Sequence, residues 1–97
     1  MGYLPKIVLC LPLTNGAALE PFVEDCLRDK VALIAVVGDG CAEIEERIDW
    51  IIVGDGSDKS RFIVTTSHPG ETVDEVMEFA NFWEGEEGYE GVQKVML

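Results

Sequence analysis

Positive charge is what this sequence most lacks: seven Lys and Arg stand against 19 Asp and Glu, a formal net charge of -12 at pH 7. A surface of that sign repels phosphate backbones and anionic lipid headgroups at long range, which argues against nucleic acid and membrane partners. The charge then serves as a solvated surface that keeps the protein dissolved, or more pointedly as a docking face for a basic partner. Cysteine is also sparse. Cys10, Cys26 and Cys41 are odd in number and widely spaced, so neither a disulfide framework nor a zinc knuckle is suggested. Free thiols fit a reducing compartment, and the chain is expected in the cytoplasm, with no cofactor and no metal implied. Long apolar runs are missing too, since none approaches the roughly 20 residues that span a bilayer. The amino-terminal stretch carries Lys6 but not the basic-apolar-small layout of a signal peptide, and Pro5, Pro12 and Asn15 interrupt it.

What is present is a core-forming composition, 47% hydrophobic and 27% charged in 97 residues. That is one domain, residues 1–97, in which folding buries roughly two-thirds of the chain's surface, enough for one sheet and one or two helical layers. The stretch Val31 to Val37 organises the rest. Its residues Val-Ala-Leu-Ile-Ala-Val-Val are apolar without alternation, the mark of a strand covered on both faces. Gly38-Asp39-Gly40 ends it and hands over to a helix.

Ile7 to Leu11 reads as a first buried strand, with Pro12 at its exit because proline cannot donate into a central ladder. Thr14-Asn15-Gly16 is a turn, and a helix follows between Ala18 and Lys30, with Pro21 tolerated in its first turn. Phe22, Val23, Cys26 and Leu27 form that helix's apolar face. Beyond Gly40, the residues Cys41, Ile44, Ile48, Ile51 and Ile52 recur at helical steps as one stripe. Trp50 to Val53, followed by Gly54-Asp55-Gly56, repeats the ending of the previous strand and could form a short extra strand. The stripe stays in phase through Ile52, which favours a helix with Gly54 as terminator. Ser57 to Ser60 is a polar loop.

Phe62 to Thr66, with β-branched residues at four of five places, is the third strand, and Ser67-His68-Pro69-Gly70 its turn. Thr72-Val73-Asp74-Glu75 is a capping box for a helix whose face is Val73, Val76, Met77, Ala80 and Trp83 and which Gly85 closes. Glu84 to Gly91 reads as a mobile acidic loop, and Val92 to Leu97, with Gln93 and Lys94 among its apolar residues, as an edge strand. The order βαβαβαβ implies a four-stranded, mainly parallel sheet in a three-layer α/β/α sandwich, a minimal Rossmann-like or flavodoxin-like fold. The fully apolar second strand wants an interior place, which favours strand order 3-2-1-4 over 2-1-3-4.

In either order three turns emerge on one rim at the strand carboxyl ends, where α/β sheets carry their sites. The candidate ligand-binding residues are Thr14, Asn15, Gly16, Asp39, Gly40, Ser67 and His68, and His68 is the candidate general base. A base needs a nucleophile to serve, for which Cys41 or Ser67 are the candidates, though nothing in the sequence places either within reach of the ring. The plainer account is that glycine, asparagine and hydroxyl residues are what tight turns and helix caps use.

Several specific chemistries fail on residue identity. Gly38-Asp39-Gly40 is no dinucleotide fingerprint, because Glu43 occupies the third glycine position and the first strand's turn offers only Gly16. Gly54-Asp55-Gly56 lacks the acidic ladder of a calcium loop, no arginine follows Cys10 at phosphate-loop spacing, and the turns lack a receiver domain's acids. The expectation is therefore a non-enzymatic binding or assembly module that self-associates, as a homodimer or with another protein. Its motive is the supply of Trp50, Phe79, Phe82, Trp83 and Tyr89 in so thin a domain, and an open last strand. The alternative is an anion, nucleotide or catalytic site on the rim.

Overall fold

An unbroken apolar strand is satisfied only where both its faces are covered, and the computed structural model, which describes residues 2–58, 61–83 and 91–97, puts one at the middle of its sheet. The elements in order are β1 (Lys6–Cys10), a 3-10 turn (Gly16–Ala18), α1 (Leu19–Arg28), β2 (Leu33–Val37), α2 (Cys41–Val53), β3 (Val64–His68), α3 (Val73–Phe82) and β4 (Val92–Met96). The sheet runs β3-β2-β1-β4, the order that the apolar second strand favours, and all three neighbouring pairs are parallel.

Side chains alternate across β1 and β2, so the core divides in two. Ile7, Leu9, Ile34 and Val36 meet Leu19, Phe22, Val23 and Cys26 of α1 and Cys41, Ile48 and Ile52 of α2. Val8, Cys10, Leu33, Ala35 and Val37 meet Val76 and Ala80 of α3. Every residue of β1 and β2 is buried, which explains why neither strand shows an alternating pattern.

Element boundaries moved where hydrogen bonding overruled apolar content. β2 starts at Leu33 because Val31, though buried, spends its amide on Cys26 O in closing α1. β3 runs from Val64 to His68, two residues beyond the span expected from Phe62 to Thr66. Phe62 is 72% exposed, and pairing begins only where the Val64 amide reaches Ala32 O. Ser67 and His68 are therefore strand residues, and the turn is Pro69 and Gly70 alone. β1 begins at Lys6 and ends at Cys10, before the cis Leu11–Pro12 peptide. Trp50 to Val53 is the last turn of α2, ended by Gly54 as the stripe indicates, and no extra strand forms there.

The capping box forms as read: Glu75 N donates to Thr72 Oγ1 at 3.1 Å and Thr72 N to Glu75 Oε1 at 2.9 Å. Its helix stops at Phe82, ahead of Gly85. Trp83 there turns extended, at φ -67° and ψ 125°, and Lys6, only 4% exposed, donates from Nζ to Asn81 O and Trp83 O at 3.4 Å each. A buried ammonium at a helix carboxyl end satisfies orphan carbonyls and meets the negative end of the dipole. Gly85, Tyr89 and the acidic loop expected from Glu84 lie outside the described residues up to residue 90, as do residues 59 and 60 of the Ser57 to Ser60 loop.

Gly38 has a backbone reason to be glycine. Its φ is +119°, and a Cβ there would stand 2.9 Å from Leu11 Cβ. Gly16, by contrast, has nothing within 4 Å of an added Cβ and no positive φ. Gly38→Ala should therefore lower unfolding free energy by about 1–3 kcal/mol while Gly16→Ala stays within about 0.5 kcal/mol, as read by urea denaturation.

Candidate functional site

Parallel register sets the strand ends level, with Cys10 opposite Val37 and Met96, and Val37 opposite His68. The rim beyond them carries the turn residues singled out from sequence, each held by its own neighbourhood. Thr14 donates twice to Leu97 O, from N and from Oγ1, at 2.6 Å each, which ties the β1 exit to the end of β4. Asn15 Oδ1 accepts from Ala17 N at 3.2 Å and so caps the 3-10 turn that Gly16 opens. Asp39 and Gly40 are exposed, with Gly40 at φ +81° directly before α2. A carboxylate beside a helix amino terminus is favourable for the helix itself.

His68 is the most constrained of the set. It is 7% exposed and its ring lies 4.6 Å from that of Phe79, centroid to centroid. Nδ1 stands 2.9 Å from Glu71 Oε2, and Nε2 2.8 Å from Thr66 Oγ1. An ionised carboxylate only accepts, so Nδ1–H donates to Glu71, which leaves Nε2 to pair with the Thr66 hydroxyl. The result is a hydroxyl, imidazole and carboxylate in series.

The nucleophiles proposed from sequence are placed elsewhere. Cys41, the first residue of α2, is buried in the core on the α1–α2 side of the sheet, whereas His68 contacts Phe79 on the α3 side. Ser67, next along β3, points to the face opposite His68 by strand alternation. Thr66 and Glu71 were the partners that sequence reasoning missed. Their signal is geometric: Thr66 shares a strand face with His68 at i−2, and Glu71 sits just past the turn.

Thiol chemistry has little support, for all three cysteines are free and buried. Burial is the main cause that pushes the Cys26 thiol up to about 12 and raises that of Cys10. Among the described residues no group of three or more His, Cys, Asp and Glu could hold a metal ion, and no helix is long and apolar enough to cross a membrane. Nor does any buried side-chain nitrogen or oxygen there lack a hydrogen-bond partner.

A separate depression lies between the helices of the α1–α2 face. Gly16, Ala17, Glu20, Arg47, Trp50 and Ile51 line it, an open depression of about 390 Å³. The helices that flank it are braced by Arg61, which donates to Glu24 through Nη1 and Nη2 at 3.0 and 2.8 Å. The same guanidinium donates to Ile51 O and Ile52 O at 2.9 Å each, capping the last turn of α2.

A family model described as Domain of unknown function (DUF7684) matches residues 6–94, a span that includes the rim, the depression and the start of β4. No curated protein matches the chain, and no solved structure does.

The Arg61 hydrogen bond holds the Glu24 carboxyl below its ordinary value of 4.5. The folded protein thus binds this proton more weakly than the unfolded chain. Stability from the pair is fully present above the unfolded value and is lost as pH falls through the lowered folded one. Arg61→Ala should lower Tm near neutral pH more than Arg28→Ala, whose partner Asp25 shares an exposed one-turn pair, and Glu24→Gln should flatten the acid limb. Thermal unfolding from about pH 7 to about pH 3 reads both effects.

Proposed function

The chain belongs to the family described as Domain of unknown function (DUF7684), and we propose that it is a non-enzymatic binding or assembly module that associates with a second copy of itself. The observation that carries this reading is the outer edge of β4. Among the described residues β4 pairs with β1 alone, so one row of its main-chain donors and acceptors meets no strand. Met96, at one end of that edge, is 74% exposed, and Phe82, closing the helix on the same sheet face, is 77% exposed. A second β4 laid alongside satisfies the edge and covers apolar surface in one step.

Charge works against this contact. Each copy carries -12, and Lys94 stands at the middle of the strand, facing its own counterpart in the symmetric register. Association should therefore strengthen as salt screens the repulsion. Sedimentation at roughly 100 μM protein should show dimer, more of it at about 0.5 M salt than at low salt, and Met96→Lys should return the monomer. A 10.7 kDa monomer in all of these conditions defeats the reading.

One observation favours a second reading, a small anionic ligand or proton-transfer site at the rim with Asn15, Asp39 and His68. It is the Thr66–His68–Glu71 series, an imidazole already oriented by a carboxylate and engaged with a hydroxyl. On this reading phosphate or nucleotides raise Tm, and His68→Ala abolishes the rise. A flat response of the parent protein to the whole panel removes it.

A further inference from the structure

α2 has more apolar surface than its place in the fold uses. Cys41, Ile48 and Ile52 are buried against the sheet, with Ile44 and Ile51 packed beside them. Trp50 stands outside that stripe, 69% exposed, and Val53, 52% exposed, follows it one turn later on the same ridge. The opposite wall of the depression is Gly16 and Ala17, which carry at most a methyl, so the indole borders open space of about 390 Å³.

Acidic side chains adjoin this apolar strip, Glu46 and Glu43 standing one and two turns before Trp50 on α2. Glu20 lines the depression, and Glu43 and Glu46 are exposed along α2. None of these three takes part in an ion pair among the described residues, unlike Glu24 and Asp25 nearby. Among the described residues Arg47 is the one cation that lines it, against a chain total of -12.

We infer that the α1–α2 groove docks a basic amphipathic segment of a different protein, with an apolar residue seated between Ala17 and Trp50 and Lys or Arg side chains facing Glu20, Glu43 and Glu46. Charge complementarity selects this occupant. A second copy would set acid against acid, and nucleic acid or an anionic membrane would be repelled. An exposed Trp supplies a rigid anchor, and a cation over its face adds a cation–π attraction. The face is distinct from the β4 edge, and its salt response is opposite, since attraction between unlike charges weakens as salt rises. Failure of self-association therefore leaves this site untouched, and the reverse holds as well.

The test is calorimetric titration of the whole chain with a synthetic amphipathic helix of Leu and Lys, alongside its Leu and Glu counterpart. The Lys peptide should bind with roughly micromolar affinity that falls with salt, and the Glu peptide should not bind. Trp50→Ala should weaken binding by about tenfold or more. The combined variant Glu20→Lys, Glu43→Lys, Glu46→Lys should do the same and flatten the salt dependence. All four positions are exposed, so far-ultraviolet circular dichroism should match the parent in both variants; Trp50→Ala should also keep Tm, whereas the triple reversal should lower it modestly because Glu20 and Glu43 lie in the first turns of α1 and α2. Reversing Asp74 and Glu78, exposed on α3, should leave affinity unchanged. The inference is overturned if the Lys peptide does not bind, if the Glu peptide binds equally, if Trp50→Ala leaves affinity intact, or if the α3 reversal weakens binding as much as the groove reversal.

Discussion

The requirement to cover Leu33 to Val37 on both faces governs this fold. Leu33, Ala35 and Val37 need a helix on one side, and Ile34 and Val36 need helices on the other. Neighbouring strands then cannot return by tight hairpins, because each connection must carry a covering helix. Three such connections deliver four parallel strands with their carboxyl ends level. The close passage of Gly38 over Leu11 follows from the same constraint, since two fully buried strands must both exit through one crowded rim.

Crowding also determines what the rim does with its polar groups. Strand-to-helix turns expose amides that need acceptors, and hydroxyl and amide side chains are the shortest acceptors available. Asn15 is used in this way by Ala17, while Thr14 turns its hydroxyl outward to Leu97 O and closes the β1–β4 end of the sheet. These side chains do structural work first. His68 differs in that three contacts, with Thr66, Glu71 and Phe79, meet on one buried ring. Buried polar series of this sort hold a geometry at the expense of tolerance to change.

Legibility in the sequence tracked the range of the interactions involved. The capping box at Thr72 and Glu75 and the arrest of α2 at Gly54 depend on residues a few places apart, and both were readable. The interior place of the second strand was readable too, because two-sided burial erases alternation. The start of β3 was not: Phe62 and Ile63 look like strand, yet pairing with β2 decides, and that partner lies some thirty places away in sequence. Lys6 shows the limit most clearly. As sequence it is a polar residue before an apolar run, and only the arrival of the α3 carboxyl end, 75 residues on, turns it into a buried cap. The Arg61 brace and the α1–α2 groove are likewise products of helix packing across the sheet, invisible to any local pattern.

Exposed apolar residues in a domain this thin acquire meaning from what the fold could have done instead. Single exposed hydrophobes are ordinary on protein surfaces. Trp50 is more informative because α2 fills its place on the sheet without it, so a polar residue at that position would leave the core unchanged. The side chain, 69% exposed, lies outside the buried core, and with Gly16 and Ala17 it lines the open depression. Met96 stands in a similar position at the β4 edge, where a charged residue would guard against strand pairing and a methionine does not. Both positions are apolar surface outside the core, on different faces of the sheet and in different electrostatic settings.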